Sequence, residues 1–160
     1  MGWLQSLEGN SFSIWLKESP SIWGYATILF IHTVGLSFAV GPSVAIDLRL
    51  LGVGRRLPIG PFDAFFKVIW IGFWVNAASG TVLFVTDATS KLANPLFFVK
   101  MTFVFLAVGV MIVIRRRVFR DPDLDGQPVA AFSKWLAVAS IVCWFGAITA
   151  GRFMSYVGGG

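Results

Sequence analysis

Residues 19–49, SPSIWGYATILFIHTVGLSFAVGPSVAIDLR, decide the fold of this protein. The run is apolar over a length that crosses a bilayer, because about 20 residues at roughly 1.5 Å each span its hydrocarbon core. Near the middle stands His32, the only histidine of the chain. A polar, ionisable ring at that depth is costly, so we treat His32 as a candidate functional residue.

The composition of the whole chain is typical of a membrane protein. Of its 160 residues, 56% are hydrophobic and only 13% are charged, against roughly 25% charged in soluble domains. The net charge of +5 alone suggests that the protein binds nucleic acid. However, the basic residues cluster in short loops between apolar runs, as they do in membrane proteins. We therefore expect the lipid bilayer as a partner and no nucleic acid.

Four segments are predicted to span the membrane within a single domain, residues 1–160. They lie at about 20–48, 61–86, 95–115 and 130–156, and a proline marks or precedes the start of each. Pro42 predicts a kink in the first helix. Residues from about 3 to 18 carry apolar side chains at helical spacing and predict a short amphipathic helix at the membrane surface. The expected fold class is all-α, an integral membrane four-helix bundle with this N-terminal interfacial helix.

The basic residues predict the orientation. Most of them lie in or beside the loop after the first helix and the loop after the third, so both loops are expected to be cytoplasmic and both termini periplasmic. This pattern predicts a multi-pass protein of the bacterial inner membrane. We expect Asp47 and Arg49 to form a structural anchor or to pair with Lys67 or the arginines at 115–117; a proton path through Asp47 is the lesser alternative.

Each predicted helix contributes one polar residue to the outer half of the bundle. At about 1.5 Å per residue, His32 and Asn76 both lie about 16 Å below the outer surface. Lys100 lies about 7 Å inside the third helix, and Arg152 within the last turns of the fourth. The sequence therefore predicts a layer of one histidine, one amide and two cations.

This layer suggests a b-type haem site. A neutral His32 imidazole is a suitable axial ligand for iron. Gly35 and Ala39 share the face of His32 and are expected to leave room for the macrocycle. We expect Lys100 and Arg152 to pair with the propionates and Asn76 to hydrogen-bond a water or substrate at the sixth position.

A single histidine excludes bis-histidine ligation within one chain. The sixth ligand is then Lys100, a methionine, water or a second subunit, which makes a homo-oligomer or a partner membrane subunit plausible. Two other readings stay open: His32 hydrogen-bonds Asn76 across helices as a packing residue, and both cations extend to the interface without any ligand. Cys143 lies in an apolar run and is expected to be a small buried packing residue.

Several short runs resemble known membrane proteins. IHTVGL at 31–36, AIDLRLLG at 45–52 and PLFFVK at 95–100 are similar to an uncharacterised bacterial family of four-helix integral membrane proteins. More distantly, a histidine in the first helix and a lysine early in the third resemble the CopD-like copper-resistance proteins and the HemJ-type protoporphyrinogen oxidases. That resemblance implies that His32 and Lys100 belong to a haem site.

The leading hypothesis is a haem b-binding inner-membrane protein with an electron-transfer or redox role and a quinone or porphyrin-like small molecule as partner. His32 is the expected metal ligand. The alternatives are a non-catalytic subunit of a larger complex and a small transporter or channel of the CopD-like type. The sequence leaves open whether the protein is an enzyme.

Overall fold

The computed structural model describes residues 9–11, 14–15, 24–120 and 129–157, except the side chains of residues 155 and 157. The expected interfacial helix at 3–18 and the start of the first predicted membrane helix therefore lie largely outside the described residues. The described helices are α1 Tyr25–Leu51, a 3-10 turn Gly60–Phe62, α2 Asp63–Val85, α3 Ala88–Ala93, α4 Pro95–Arg117 and α5 Ala131–Val157. These described segments contain no strand. The all-α class is confirmed.

Four of the helices, α1, α2, α4 and α5, are long and apolar enough to cross a membrane. The chain is thus a multi-pass membrane protein with a four-helix bundle, as the sequence predicts. The short α3, which the sequence analysis did not predict, lies in the connection between α2 and α4. It is fixed to the end of α2 by Lys91, whose ammonium donates to the backbone carbonyl of Leu83.

Local sequence explains where the membrane helices end. α1 continues through Pro42 and stops at Gly52, whose φ of 106° is accessible to glycine at little cost. The backbone N–H of Val53 then donates to the carbonyl of Leu48 at 2.9 Å. Arg49 holds the following loop, because its Nε donates to the backbone oxygen of Leu57 at 2.7 Å. The expected anchoring role of Arg49 is confirmed.

The start of α4 follows the ordinary rules of helix capping. Asn94 precedes the helix, and its side-chain oxygen accepts a hydrogen bond from the backbone N–H of Leu96 at 3.0 Å. Pro95 occupies the first helical position, where no N–H is needed.

The bundle is open on one side. α1 packs along both α2 and α5, and α4 packs along α5, whereas α2 and α4 make few backbone contacts in the described chain. Small residues allow the closest approach, between α1 and α2: a Cβ added to Gly72 would lie 2.6 Å from the backbone nitrogen of Ala39. The helices are therefore ordered α2, α1, α5, α4, with a cleft between the first and the last.

Two apolar clusters form the interior. The larger lies toward the arginine-rich ends of the helices and is composed of Ile46, Leu50, Ile59, Phe66, Ile69, Met111, Ile114, Val118 and Ala137. The smaller contains Ala39, Ala107, Cys143 and Trp144, which confirms Cys143 as a buried packing residue. Large apolar side chains cover the outside, among them Phe105 at 69% and Trp135 at 73% exposure. This surface requires hydrocarbon around it.

Candidate functional site

His32 lies against α2 and makes polar contacts with one turn of that helix. Its Nδ1 is 3.0 Å from the backbone carbonyl oxygen of Asn76 and 3.1 Å from the hydroxyl oxygen of Ser79. Gly80 lets the ring approach, since a Cβ at that position would lie 3.0 Å from Cε1 of His32. The face of α2 formed by Asn76, Ser79 and Gly80 therefore determines how the ring is held.

The shorter contact, from Nδ1 to the Asn76 carbonyl at 3.0 Å, favours one tautomer of the neutral ring over the one that the 3.3 Å contact with the Asn76 amide nitrogen would need. A backbone carbonyl can only accept a hydrogen bond, so the Nδ1 of His32 must carry the proton that it donates to Asn76. The Nε2 is then the unprotonated nitrogen and carries the lone pair. A histidine that ligates a metal is commonly prepared in this way, with its other ring nitrogen donating to a carbonyl.

Asn76 makes its own contact with α1. Its side-chain Nδ2 donates to the backbone oxygen of His32 at 2.8 Å, which joins α1 to α2. The same nitrogen is 3.4 Å from Nε2 of His32, beyond the usual range of roughly 2.7–3.2 Å. The strongest contact of Asn76 is thus with the backbone of α1, and its expected hydrogen bond to a water or substrate at a sixth ligand position stays a prediction.

Ser79 was missed by the sequence analysis. Its hydroxyl donates to the carbonyl of Val75 at 2.7 Å and presents its oxygen to Nδ1 of His32. The signal was present in the sequence, because Ser79 lies three residues after Asn76 and thus on the same face of α2. Its small size and ability to hydrogen-bond its own helix hid it among the packing residues.

The room expected over Gly35 and Ala39 is filled by α2. A Cβ on Gly35 would lie 2.7 Å from the backbone nitrogen of Asn76 and 3.1 Å from the carbonyl oxygen of Gly72. Ala39 is 2% exposed and packs against Gly72 in the same way. The glycine that was expected to make space for a ligand instead allows two helices to touch. A flat macrocycle does not fit on this side of His32.

The two predicted cations are placed differently. Lys100 is half-buried, and its side chain lies along Gly151 of α5. Arg152 is exposed, and its guanidinium lies over the ring of Tyr156 at 5.9 Å on the same helix. The structure therefore places the Lys100 side chain against α5 and the Arg152 guanidinium against Tyr156.

A second polar group lies deeper in the bundle, between α1 and α5. Asp47 is fully buried, and neither carboxylate oxygen has a hydrogen-bond partner within the described segments. The Ser140 hydroxyl of α5 lies beside it and likewise has no hydrogen-bond partner within the described residues. The expected pairing with Lys67 or the arginines at 115–117 is wrong, because the carboxyl group points into the bundle.

Chemically, the described residues offer a single imidazole as ligand. No group of three histidine, cysteine, aspartate or glutamate side chains occurs in the described parts of the chain. No protein-family model matches this sequence, and no curated protein or solved structure is significantly similar to it. The resemblance to four-helix, CopD-like and HemJ-type membrane proteins thus stays a prediction.

Proposed function

We propose that this protein binds a b-type haem through Nε2 of His32 and transfers electrons within the membrane. The observation that supports the proposal is the 3.0 Å contact from Nδ1 of His32 to the Asn76 carbonyl. This contact leaves the lone pair on Nε2 and limits rotation of the ring. The ring is half-buried, so one side of it remains open to a ligand.

Bound haem supplies reversible one-electron transfer at a potential set by its ligand and surroundings. The residues of this chain hold and orient the ligand. The carbonyl of Asn76 and the hydroxyl of Ser79 fix the plane of the His32 ring, and donation to the carbonyl raises the basicity of the ligating nitrogen. Lys100 contributes a positive charge on the outer side, which suits a propionate.

The fit of the cofactor limits where it is bound. Because α2 fills the face of Gly35 and Ala39, a haem held by His32 would need space elsewhere around the ring. On α5, Gly151 borders the side chain of Lys100. Arg152 is turned away toward Tyr156, so our proposal retains Lys100 as the propionate partner and omits Arg152.

A second candidate function, a non-catalytic membrane subunit, is favoured by one contact. The 2.8 Å hydrogen bond from Asn76 to the backbone of His32 joins α1 and α2, and a polar contact of this kind fixes helix register whether or not a cofactor is present. Under this alternative His32 is only a packing residue. The two functions predict different responses when the ring is removed and imidazole is added.

The experiment removes the His32 side chain and tests whether free imidazole can take its place as the haem ligand. His32→Ala is purified beside the wild type, and reduced-minus-oxidised spectra are recorded with and without added imidazole. We expect a b-type spectrum in the wild type, its loss in the variant, and its return with imidazole, because free imidazole replaces the missing ligand. Thr33→Ala is the matched control, because Thr33 is the next residue of the same helix and is exposed. This variant should retain the spectrum.

Two outcomes would contradict the proposal. A wild-type protein that binds no haem when haem is supplied during expression leaves only the structural function. A variant that keeps the full spectrum without imidazole excludes His32 as the ligand. Circular dichroism of His32→Ala separates the loss of a ligand from the loss of the fold.

We further propose that the arginine-rich loops face the cytoplasm, that both termini face the periplasm, and that the protein resides in the bacterial inner membrane. The excess of basic residues at one end of the bundle supports this orientation. His32 then lies nearer the periplasmic side, with a quinone or porphyrin-like donor as its redox partner. Reporter fusions at Gly126 should be cytoplasmic, whereas fusions after Gly160 should be periplasmic; the reverse result overturns the orientation.

A further inference from the structure

The cleft between α2 and α4 has the dimensions of a ligand site. It encloses about 530 Å³, within the roughly 300–1,000 Å³ of typical small-molecule pockets. The ring of Trp144 on α5 forms part of its lining. Apolar side chains form the walls away from the charged mouth: Phe66, Ile69 and Phe73 of α2 and Val108, Met111 and Ile112 of α4.

The mouth of the cleft is positively charged. Arg115, Arg116 and Arg120 line it together with a single acid, Asp63. Arg115 pairs with Asp63 at 3.5 Å and lies over the ring of Phe66 at 5.2 Å. Arg116 and Arg120 make no ion pair within the described residues. Among the described residues, the two guanidinium groups of Arg116 and Arg120 thus add positive charge at the mouth of the cleft.

A second, shallower groove begins at the same mouth. It has a volume of about 720 Å³ and shares Asp63, Trp70 and Arg115 with the cleft. It continues along the outer face of α2 past Ile71 and Trp74. Two apolar channels thus diverge from one charged position, with the Trp70 ring lining both.

We propose that this pair of channels binds an anionic phospholipid. One acyl chain lies in the cleft, the other lies in the groove on the far side of Trp70, and the phosphate is held by Arg116 and Arg120. Charge complementarity determines the choice of occupant, since basic pockets between membrane helices bind anionic headgroups. The forked shape matches a molecule that has two chains and one headgroup.

A bound lipid would also fill the cleft between α2 and α4. α2 and α4 touch through side chains, as in the stacked rings of Phe84 and Phe97, but their backbones make few contacts. The apolar walls of the cleft between them therefore need other hydrocarbon to contact. An acyl chain supplies that contact from within the bilayer. The bound lipid then acts as the missing packing element between α2 and α4, independently of any cofactor at His32.

The test compares two double variants that remove the same charge. Brominated phosphatidylglycerol and brominated phosphatidylcholine quench tryptophan fluorescence on contact, and their relative binding is measured in mixed vesicles. We expect the wild type to prefer phosphatidylglycerol. Arg116→Gln with Arg120→Gln should weaken that preference roughly 30-fold, from the loss of two basic residues near the headgroup. The control is the double variant Arg56→Gln with Arg117→Gln, whose residues lie at the same end of the bundle but do not line the cleft. This variant should keep the preference for phosphatidylglycerol.

A second pair of variants tests the apolar part of the site. Ile112 lines the cleft, whereas the adjacent Val113 is 37% exposed on the outside of α4. Ile112→Phe should reduce the amount of phosphatidylglycerol that copurifies, and Val113→Phe should not. Two results would overturn the proposal. One is a wild-type protein that shows no preference for the anionic lipid. The other is an equal loss of preference in the two double arginine variants, which would indicate a general effect of surface charge.

Discussion

Gly72→Ala tests the closest helix contact of the bundle. The added Cβ would lie 2.6 Å from the nitrogen of Ala39, 2.7 Å from the carbonyl carbon of Phe38 and 2.8 Å from the oxygen of Gly35. All three are backbone atoms of α1, so no side chain can rotate away. Restoring the nearest contact to 3.4 Å requires the helices to separate by 3.4 − 2.6 = 0.8 Å.

The expected cost follows from that separation. A gap of about 0.5–1 Å removes a quarter to a half of the dispersion energy of each contact along the seam, and overpacking typically costs about 1–3 kcal/mol. Gly109→Ala on α4 is the matched control, because nothing lies within 4 Å of its added Cβ. Both variants gain the same helix propensity, so the difference between them isolates the packing effect.

The measurement is the free energy of unfolding in mixed micelles, followed by circular dichroism during titration with a denaturing detergent. We expect Gly72→Ala to be less stable than Gly109→Ala by about 1–3 kcal/mol. It should also disturb His32, because Gly72 and Asn76 lie on the same face of α2. Equal stabilities for the two variants would refute the close α1 and α2 seam and, with it, the position of the carbonyl that orients His32.

Three further predictions concern polar groups. Asn76→Ala removes the side-chain donor to α1 but keeps the backbone carbonyl that accepts a hydrogen bond from His32. The free energy of unfolding should therefore fall by about 0.6–1.7 kcal/mol, while the haem content should not change. Loss of haem in this variant would contradict the assigned tautomer of His32. Asp47→Asn should leave the thermal midpoint unchanged or raise it, because a buried carboxyl group without a partner contributes no favourable contact; a fall of several degrees would reveal a counter-charge. Asp63→Asn should lower the free energy of unfolding by less than about 1 kcal/mol, because the ion pair of Asp63 with Arg115 is half-exposed. A larger loss of stability would show that this ion pair closes the cleft.

The membrane helices are predictable from local sequence alone. Length and hydropathy give the number of spans, and Asn94 with Pro95 marks the start of α4 by chemistry that acts within a few residues. The short α3 escaped prediction because it contains only six residues, too few for a periodic pattern. The hydropathy of the spans and the capping residues at 94 and 95 can both be read without knowing how the helices are arranged around one another.

The site was predictable only in part. The contact between His32 and Asn76 follows from equal depth in two adjacent helices, and counting residues gives that depth. Gly35 shows why counting is not enough: a glycine beside a functional residue admits either a ligand or another helix, and the sequence does not distinguish them. Asp47 shows the same limit, since rotation of α1 turns its carboxyl group toward Ser140 rather than toward the arginines.

The cleft was not predictable at all. It exists because α2 and α4 lie at opposite ends of the helix order and make few backbone contacts, which is a property of four helices together. The arginines at its mouth gave only an orientation signal in the sequence. The contact of Arg115 with Phe66, and the position of all three arginines at the mouth of the cleft, appear only once the helices are assembled.

The most direct test of the central claim is the haem content per chain, measured by pyridine haemochrome on protein purified after haem supplementation. Wild type, His32→Ala and Asn76→Ala are compared in one preparation series. Our account predicts about one haem b per wild-type chain, a similar value for Asn76→Ala, and almost none for His32→Ala. No haem in the wild type, or equal haem in all three proteins, would contradict ligation by Nε2 of His32.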